Sequence, residues 1–411
     1  MKTVWMKMLV GCLVLSSVTA IAGDWQDMKT PKPPKAPSYA RSSTSSGDGE
    51  MGSQSRREQT FTVGKGSALD VSVTGCEIKI KTSEKNEIMV VVDGIDDEDM
   101  EYVKMKQSGD EVSVTYRPKW SGHSDGRFTI TVPTQTKLDL RTSGGDIELQ
   151  GNLTGDAVGS TSGGNITIEK VKGMVRMSTS GGDVRTGDID GKADLRTSGG
   201  NITLETVNGE AIVSTSGGDI RIEKVAKRLD ARTSGGDIEV GDIGGDASLS
   251  TAGGDVRVGK VSGSANLRTA GGDLKLLGAT GIVEAKTAGG DIDLKNISGS
   301  IEASTAGGNV NAELNPTGKG ESRLKTAGGD IKLTLPENAK ATIEATIRLR
   351  DNDGWGSKSR KTKYDIRSDF KADSYEKDED RDEINGRYIL NGGGESIILE
   401  TVNGYIDIKK K

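Results

Sequence analysis

The residues with the most obvious chemistry come as a set: two hydroxyls, two glycines and a carboxylate, Thr-Ser-Gly-Gly-Asp at 142–146. The set occurs eleven times as Thr-Ser/Ala-Gly-Gly-Asp/Asn, starting at Thr142, Thr161, Thr179, Thr197, Thr215, Thr233, Thr251, Thr269, Thr287, Thr305 and Thr326. The steps are 19, then eight of 18, then 21. Such residues could supply a nucleophile, a phosphate cradle, calcium ligands or a turn.

A nucleophile needs a base at a fixed offset. Neither His nor Lys recurs at one, and the chain has a single histidine, His123. The residue after the Thr is Ser from Ser143 to Ser234 and Ala from Ala252 to Ala327. Acceptance of both suggests a limit on volume and no requirement for a hydroxyl. A phosphate cradle would run from glycines into a helix, with a Lys following. Here the glycines lead into a strand pattern. A calcium β-roll has nine-residue half-turns, G-G-x-G-x-D-x-U-x, and two of them also make 18. That pattern's third glycine is missing, and Asn165, Asn201 and Asn309 stand in the carboxylate row.

The remaining expectation is a corner. The glycines would give φ > 0 or a tight backbone approach, and Asp or Asn would bond its own backbone just beyond. Carboxylates stacked coil on coil would repel by about 1 kcal/mol per neighbouring pair in water. Arg141, Arg196, Arg232, Arg268, Lys286 and Lys325, each just before a Thr, could offset this. No catalytic, cofactor-binding or metal-ligating residue is assigned.

Elements of period two must carry these corners. Counting the Thr as position 0, apolar residues recur at +5 and +7 (Ile220, Ile222), often at +10 (Val225), and at +14 and +16 (Leu229, Ala231). The Thr shares parity with the apolar positions and should point inward. An inward Thr row also argues against ice binding. Glycine at +12 (Gly173, Gly191, Gly209, Gly245, Gly263) marks a second corner. Repetition at this period predicts an all-β parallel β-solenoid, a single-stranded β-helix with two or three short strands per coil. A left-handed hexapeptide helix would need apolar residues at every sixth position, which these offsets do not supply. At roughly 4.8 Å per coil, eleven coils make a rod on the order of 50 Å long.

The ends fit the same template. "LDVSVTGCEIKI" (69–80) and "IILETVNGYIDI" (397–408) align with the repeat, which predicts degenerate capping coils at 59–141 and 335–411 around a solenoid at 142–334. The inserts "DDEDMEYVKM" and 351–388 are expected as loops over the ends, since bare edges would template aggregation. Cys76 stands where the repeats carry Gly, so its turn is expected to differ.

Residues 1–22 read as a signal peptide. Lys2 and Lys7 precede an apolar run, with cleavage expected between Ala22 and Gly23. Leu9-Val10-Gly11-Cys12 also matches a lipobox, but the apolar stretch before Cys12 is short. Cleavage would leave Cys76 as the only cysteine, hence no intramolecular disulfide. Residues 23–58, rich in Pro, Ser, Gly and Lys, are expected as a tether. No other run approaches the ~20 apolar residues of a spanning helix. The net charge of −6 gives no reason to expect nucleic acid. Carbohydrate chemistry would want aromatic platforms or paired carboxylates. The stretch 142–332 contains no Trp, Tyr or Phe, and Trp120, His123 and Trp355 lie in irregular segments.

The TSGGD-I-x-L repeats, the lead-in "TITVPTQTKLDLRTSGGDI" and the ending "NGGGESIILETVNGYIDI" resemble the bacterial "putative adhesin" family over residues 60–411. The resemblance implies an exported β-solenoid with no catalytic residues. Together these features favour a non-enzymatic, adhesin-like protein that presents a charged surface to a protein or glycan in the cell envelope or outside the cell. The alternatives are a glycan-binding or glycan-active β-helix with its site in the cap loops, and a calcium-stabilised roll.

Overall fold

The computed structural model describes residues 54–119, 126–317, 320–350, 363–378 and 381–411. The expected signal peptide, Cys12, Trp120, His123 and Trp355 lie outside them. The described chain is nearly all β, with one 3-10 turn at Met100–Tyr102. Each repeat forms one coil with two strands, for example Ile220–Val225 and Leu229–Arg232. Longer strands stack into one sheet and shorter ones into a second. Pairing is parallel and in register, as in Ile220 on Ile238 and Leu229 on Ala247.

The apolar residues at +5, +7, +10, +14 and +16 fill the space between the sheets, and in the coil from Thr215 all five are buried. Each large one contributes roughly 1.5–3 kcal/mol on burial. One coil has no partner for either sheet edge, so the core exists only as a stack. Gly151, at φ 91°, takes up the extra residue of the 19-residue step as a bulge.

The chain's ends are threaded inward. The strand Ser67–Val73 sits between Glu111–Tyr116 and Thr136–Thr142, and Glu77–Ser83 sits between Arg127–Pro133 and Ile147–Thr154. At the other end Glu395–Val402 lies between Glu321–Lys325 and Ala341–Arg348. Both capping coils are in the register expected, with Ile78 on Ile147 and Leu399 on Leu324. What lies over them is more ordered than loops. Gln54–Thr62 and Glu87–Asp96 add antiparallel strands at one end, and Glu383–Leu390 and Ser374–Asp378 at the other. The first of these strands begins at Gln54, inside the stretch expected as a tether. The larger end layers need larger side chains, and buried Tyr116 and Phe128 pack with ring centroids 6.0 Å apart.

Glu395 points into the core at the C-terminal end and is 2% exposed. Its carboxylate accepts a hydrogen bond from Ser322 Oγ at 2.9 Å, and burial pushes its pKa up. A raised folded-state value favours the protonated form in the fold. Its contribution is therefore complete below the unfolded value, near 4.3, and is lost as pH rises through the folded value. Glu395→Gln should raise the melting temperature at pH 7 and flatten its fall from pH 4 upward, read by thermal melts across pH.

Candidate functional site

Each corner is built by bonds to the coil before it. The Thr hydroxyls are buried, 1–8% exposed in the eleven motifs. Thr233 Oγ1 donates to the Gly218 carbonyl of the preceding coil at 2.9 Å and accepts the N–H of its own Gly236 at 3.3 Å. The same donation runs from Thr142, onto Cys76 O, through to Thr401, onto Gly329 O. Cys76 thus takes the place of the second glycine and keeps the bond. Gly126 beside it makes room, since a Cβ there would lie 2.8 Å from Cys76 Sγ.

The two glycines differ. A Cβ on Gly218 would lie 2.1 Å from Gly200 O, whereas one on Gly217 would lie 3.3 Å from Gly199 O. The second glycine is needed for close approach between backbones. None of the motif glycines has positive φ.

Three side-chain expectations change. The Ser/Ala position is exposed in all eleven motifs, so burial does not limit its volume. The Asp or Asn does not bond its own backbone. Its Oδ1 accepts the N–H of the equivalent residue one coil on, as in Asp255 N–H to Asp237 Oδ1 at 2.8 Å and Asp219 N–H to Asn201 Oδ1 at 2.8 Å. Corner N–H groups have no strand partner, and a side-chain oxygen one coil away satisfies them. Only an amide-type or carboxylate oxygen is used, so Asp and Asn interchange. The cations before the Thr do not serve this row either. Being on the short-strand sheet, they pair there: Arg196 with Asp194, Arg232 with Asp230, Lys286 with Glu284 and Glu302. Lys286 and then Arg268 hold the Glu284 carboxyl below the usual range. The corner Asp row is met instead from +6, by Arg185, Arg221 and Arg257.

The motif residues are therefore committed to holding coils together. The outward rows of both sheets face solvent, and on the longer strands these lie at +6 and +8. There Gly241 and Gly259 leave a depression of about 580 Å³ floored by Val240 and Val258 and bounded by Arg221, Glu239 and Leu277. A second, of about 600 Å³, continues past Asp291, Asp293 and Lys295. Leu277 is 42% exposed. Sequence reasoning missed both, because a gap at +8 shows only when neighbouring coils are set side by side.

The cap stretch 363–388 holds Asp365, which accepts a hydrogen bond from the Tyr375 hydroxyl at 2.6 Å. Tyr364 meets Tyr405 edge-on at 5.6 Å, and the Arg367 guanidinium lies 4.2 Å from the Tyr405 centroid. Arg367 thus covers a ring face that a sugar would need. Among the described residues no group of three or more His, Cys, Asp or Glu is placed to hold a metal.

The description Toastrack DUF4097 matches residues 67–242 and 224–353. The chain belongs to this family. Solved structures similar to this Toastrack chain include a "putative adhesin" from Parabacteroides merdae, 13% identical over 68% of this chain and 92% of that one, with TM-score 0.26. Another, from Parabacteroides distasonis, is 15% identical over 63% and 97%, with TM-score 0.29. A third, from Bacteroides fragilis, is 12% identical over 87% and 97%, with TM-score 0.18. No curated protein matches.

Substitutions separate these roles. Gly218→Ala should cost about 2 kcal/mol or more and Gly217→Ala under about 1, by denaturant melts. Thr186 sits at +7 with a buried hydroxyl that has no partner among the described residues, where other coils carry Ile, Leu, Val or Ala. Thr186→Val should stabilise by about 1 kcal/mol, and Thr233→Val should destabilise by about 1–3 kcal/mol.

Proposed function

We propose that this Toastrack protein is a non-enzymatic, exported, adhesin-like element that presents the outward side chains of its solenoid to a protein or glycan of the cell envelope or its surroundings. One observation carries this reading: residues that recur in every coil bond the neighbouring coil, while residues that vary between coils on the shorter-strand sheet, such as Arg176, Arg196, Arg268 and Glu302, face solvent. A surface of that kind changes its recognition without changing its fold. Its charges are mostly matched within the surface, as in Lys79 with Glu148 at 2.7 Å. Exposed pairs like these add little stability, and they leave a patterned face instead of a single-sign field. The export signal expected at 1–22 and the adhesin names of the similar structures support an envelope or extracellular setting. No helix among the described residues is long and apolar enough to cross a membrane.

The test uses the purified protein, envelope fractions of the producing cells and a panel of bacterial and plant polysaccharides. The expected result is saturable retention on an envelope fraction and no product release from any polysaccharide. Removing the three coils 215–268 in register should leave a folded, shorter protein with altered retention. A turnover activity, or retention that never saturates, counts against the proposal. A melting temperature raised by calcium and restored by EDTA would favour the calcium roll instead.

A further inference from the structure

Among the described residues no strand covers the outward face of the longer-strand sheet along the eleven coils, and only the Lys411 side chain reaches it, at Asn296 and Glu313. Each coil shows its +6 and +8 residues there. We propose that this face is a self-complementary interface on which a second copy of the chain packs parallel and in register. The twofold axis would run along the coil stack. Rotation about such an axis keeps each coil at its own height and exchanges the two rows. Position +6 of one copy then lies opposite +8 of the same coil in the other.

The residues fit that exchange. In three coils a long side chain comes opposite a glycine: Arg185 and Gly187, Glu239 and Gly241, Arg257 and Gly259. These side chains are exposed, and Gly241 and Gly259 line the depression described above. In two coils opposite charges meet, Arg221 with Glu223 and Asp293 with Lys295. Within one chain Arg221 reaches Asp219 and Glu239 at 3.7 and 3.5 Å, leaving Glu223 for the other copy. Leu277 comes against the aliphatic stem of Lys275, which would cover its exposed surface. None of the eleven coils sets like charges opposite each other across these two rows.

The flanking rows, +4 against +9, are mixed. Asp219 and Asp255 meet Lys224 and Lys260, while Asp183 and Asp237 meet Asp188 and Asp242. The inner rows therefore decide the pairing. Eleven strands at ~4.8 Å, each six residues at ~3.3 Å, offer roughly 1,000 Å² per copy, above the roughly 800 Å² of a standard interface.

Sedimentation equilibrium on the purified protein, from 1 to 100 µM and at 50 and 500 mM NaCl, tests this. The expected result is twice the chain mass at low salt, with dissociation favoured by high salt. Arg221→Glu sets Glu against Glu223 of the other copy and should weaken the dimer at least tenfold. The swap Arg221→Glu/Glu223→Arg should restore it, and Leu277→Lys, facing Lys275, should weaken it. Circular dichroism melts confirm that each variant remains folded. A monomer at every concentration overturns the proposal. So does a dimer indifferent to Arg221→Glu and Leu277→Lys, because that dimer would use another surface.

Discussion

Backbone contact at the corner governs this molecule. At the second motif glycine, one coil's chain passes so close to the next that a Cβ would fall about 2 Å from a carbonyl oxygen. That spacing forces glycine, and it brings the carbonyl within reach of the next coil's Thr. The Thr hydroxyl serves a carbonyl below and an N–H beside it, so a buried corner has its polar groups satisfied. The Asp or Asn oxygen accepts a hydrogen bond from the remaining N–H. Every other repeated feature follows: apolar residues must alternate from that fixed corner, and each coil must be close to the same length.

A stack of this kind is vulnerable at its ends, where the last coil has an exposed core and open strand edges. Here the first and last template-like coils are interior, held between strands from elsewhere in the sequence. Fraying an end therefore means displacing a covering layer first. The outermost strands carry charge on exposed positions, as at Arg56, Arg57, Lys104, Lys106, Glu376 and Lys377, which discourages strand addition. Glu395 is a buried carboxylate near the C-terminal end. It stands where the 21-residue step interrupts the regular corner, beside Ser322 in a row otherwise apolar.

The same corner chemistry shapes what function can be. Hydroxyls, glycines and carboxylates that look reactive in one dimension are occupied by neighbouring coils. In the outward rows sequence is free to vary, because the inter-coil bonds do not depend on it.

The sequence by itself determined the class of fold, the inward parity of the Thr and the register of both capping coils. All three depend on periods of 2 and 18, which survive in one dimension. It placed the apolar rows correctly for the same reason. Which atom each corner residue bonds was decided only by tertiary structure. The Asp acceptor lies one coil away, and so does the carbonyl that demands glycine. The volume limit inferred for the Ser/Ala row failed because exposure is set by neighbours above and below. The cations before six of the eleven Thr were assigned to the wrong carboxylates because position along the chain does not tell which sheet a side chain faces. The groove at Gly241 and Gly259 exists only between stacked coils, a dimension that the linear order does not contain.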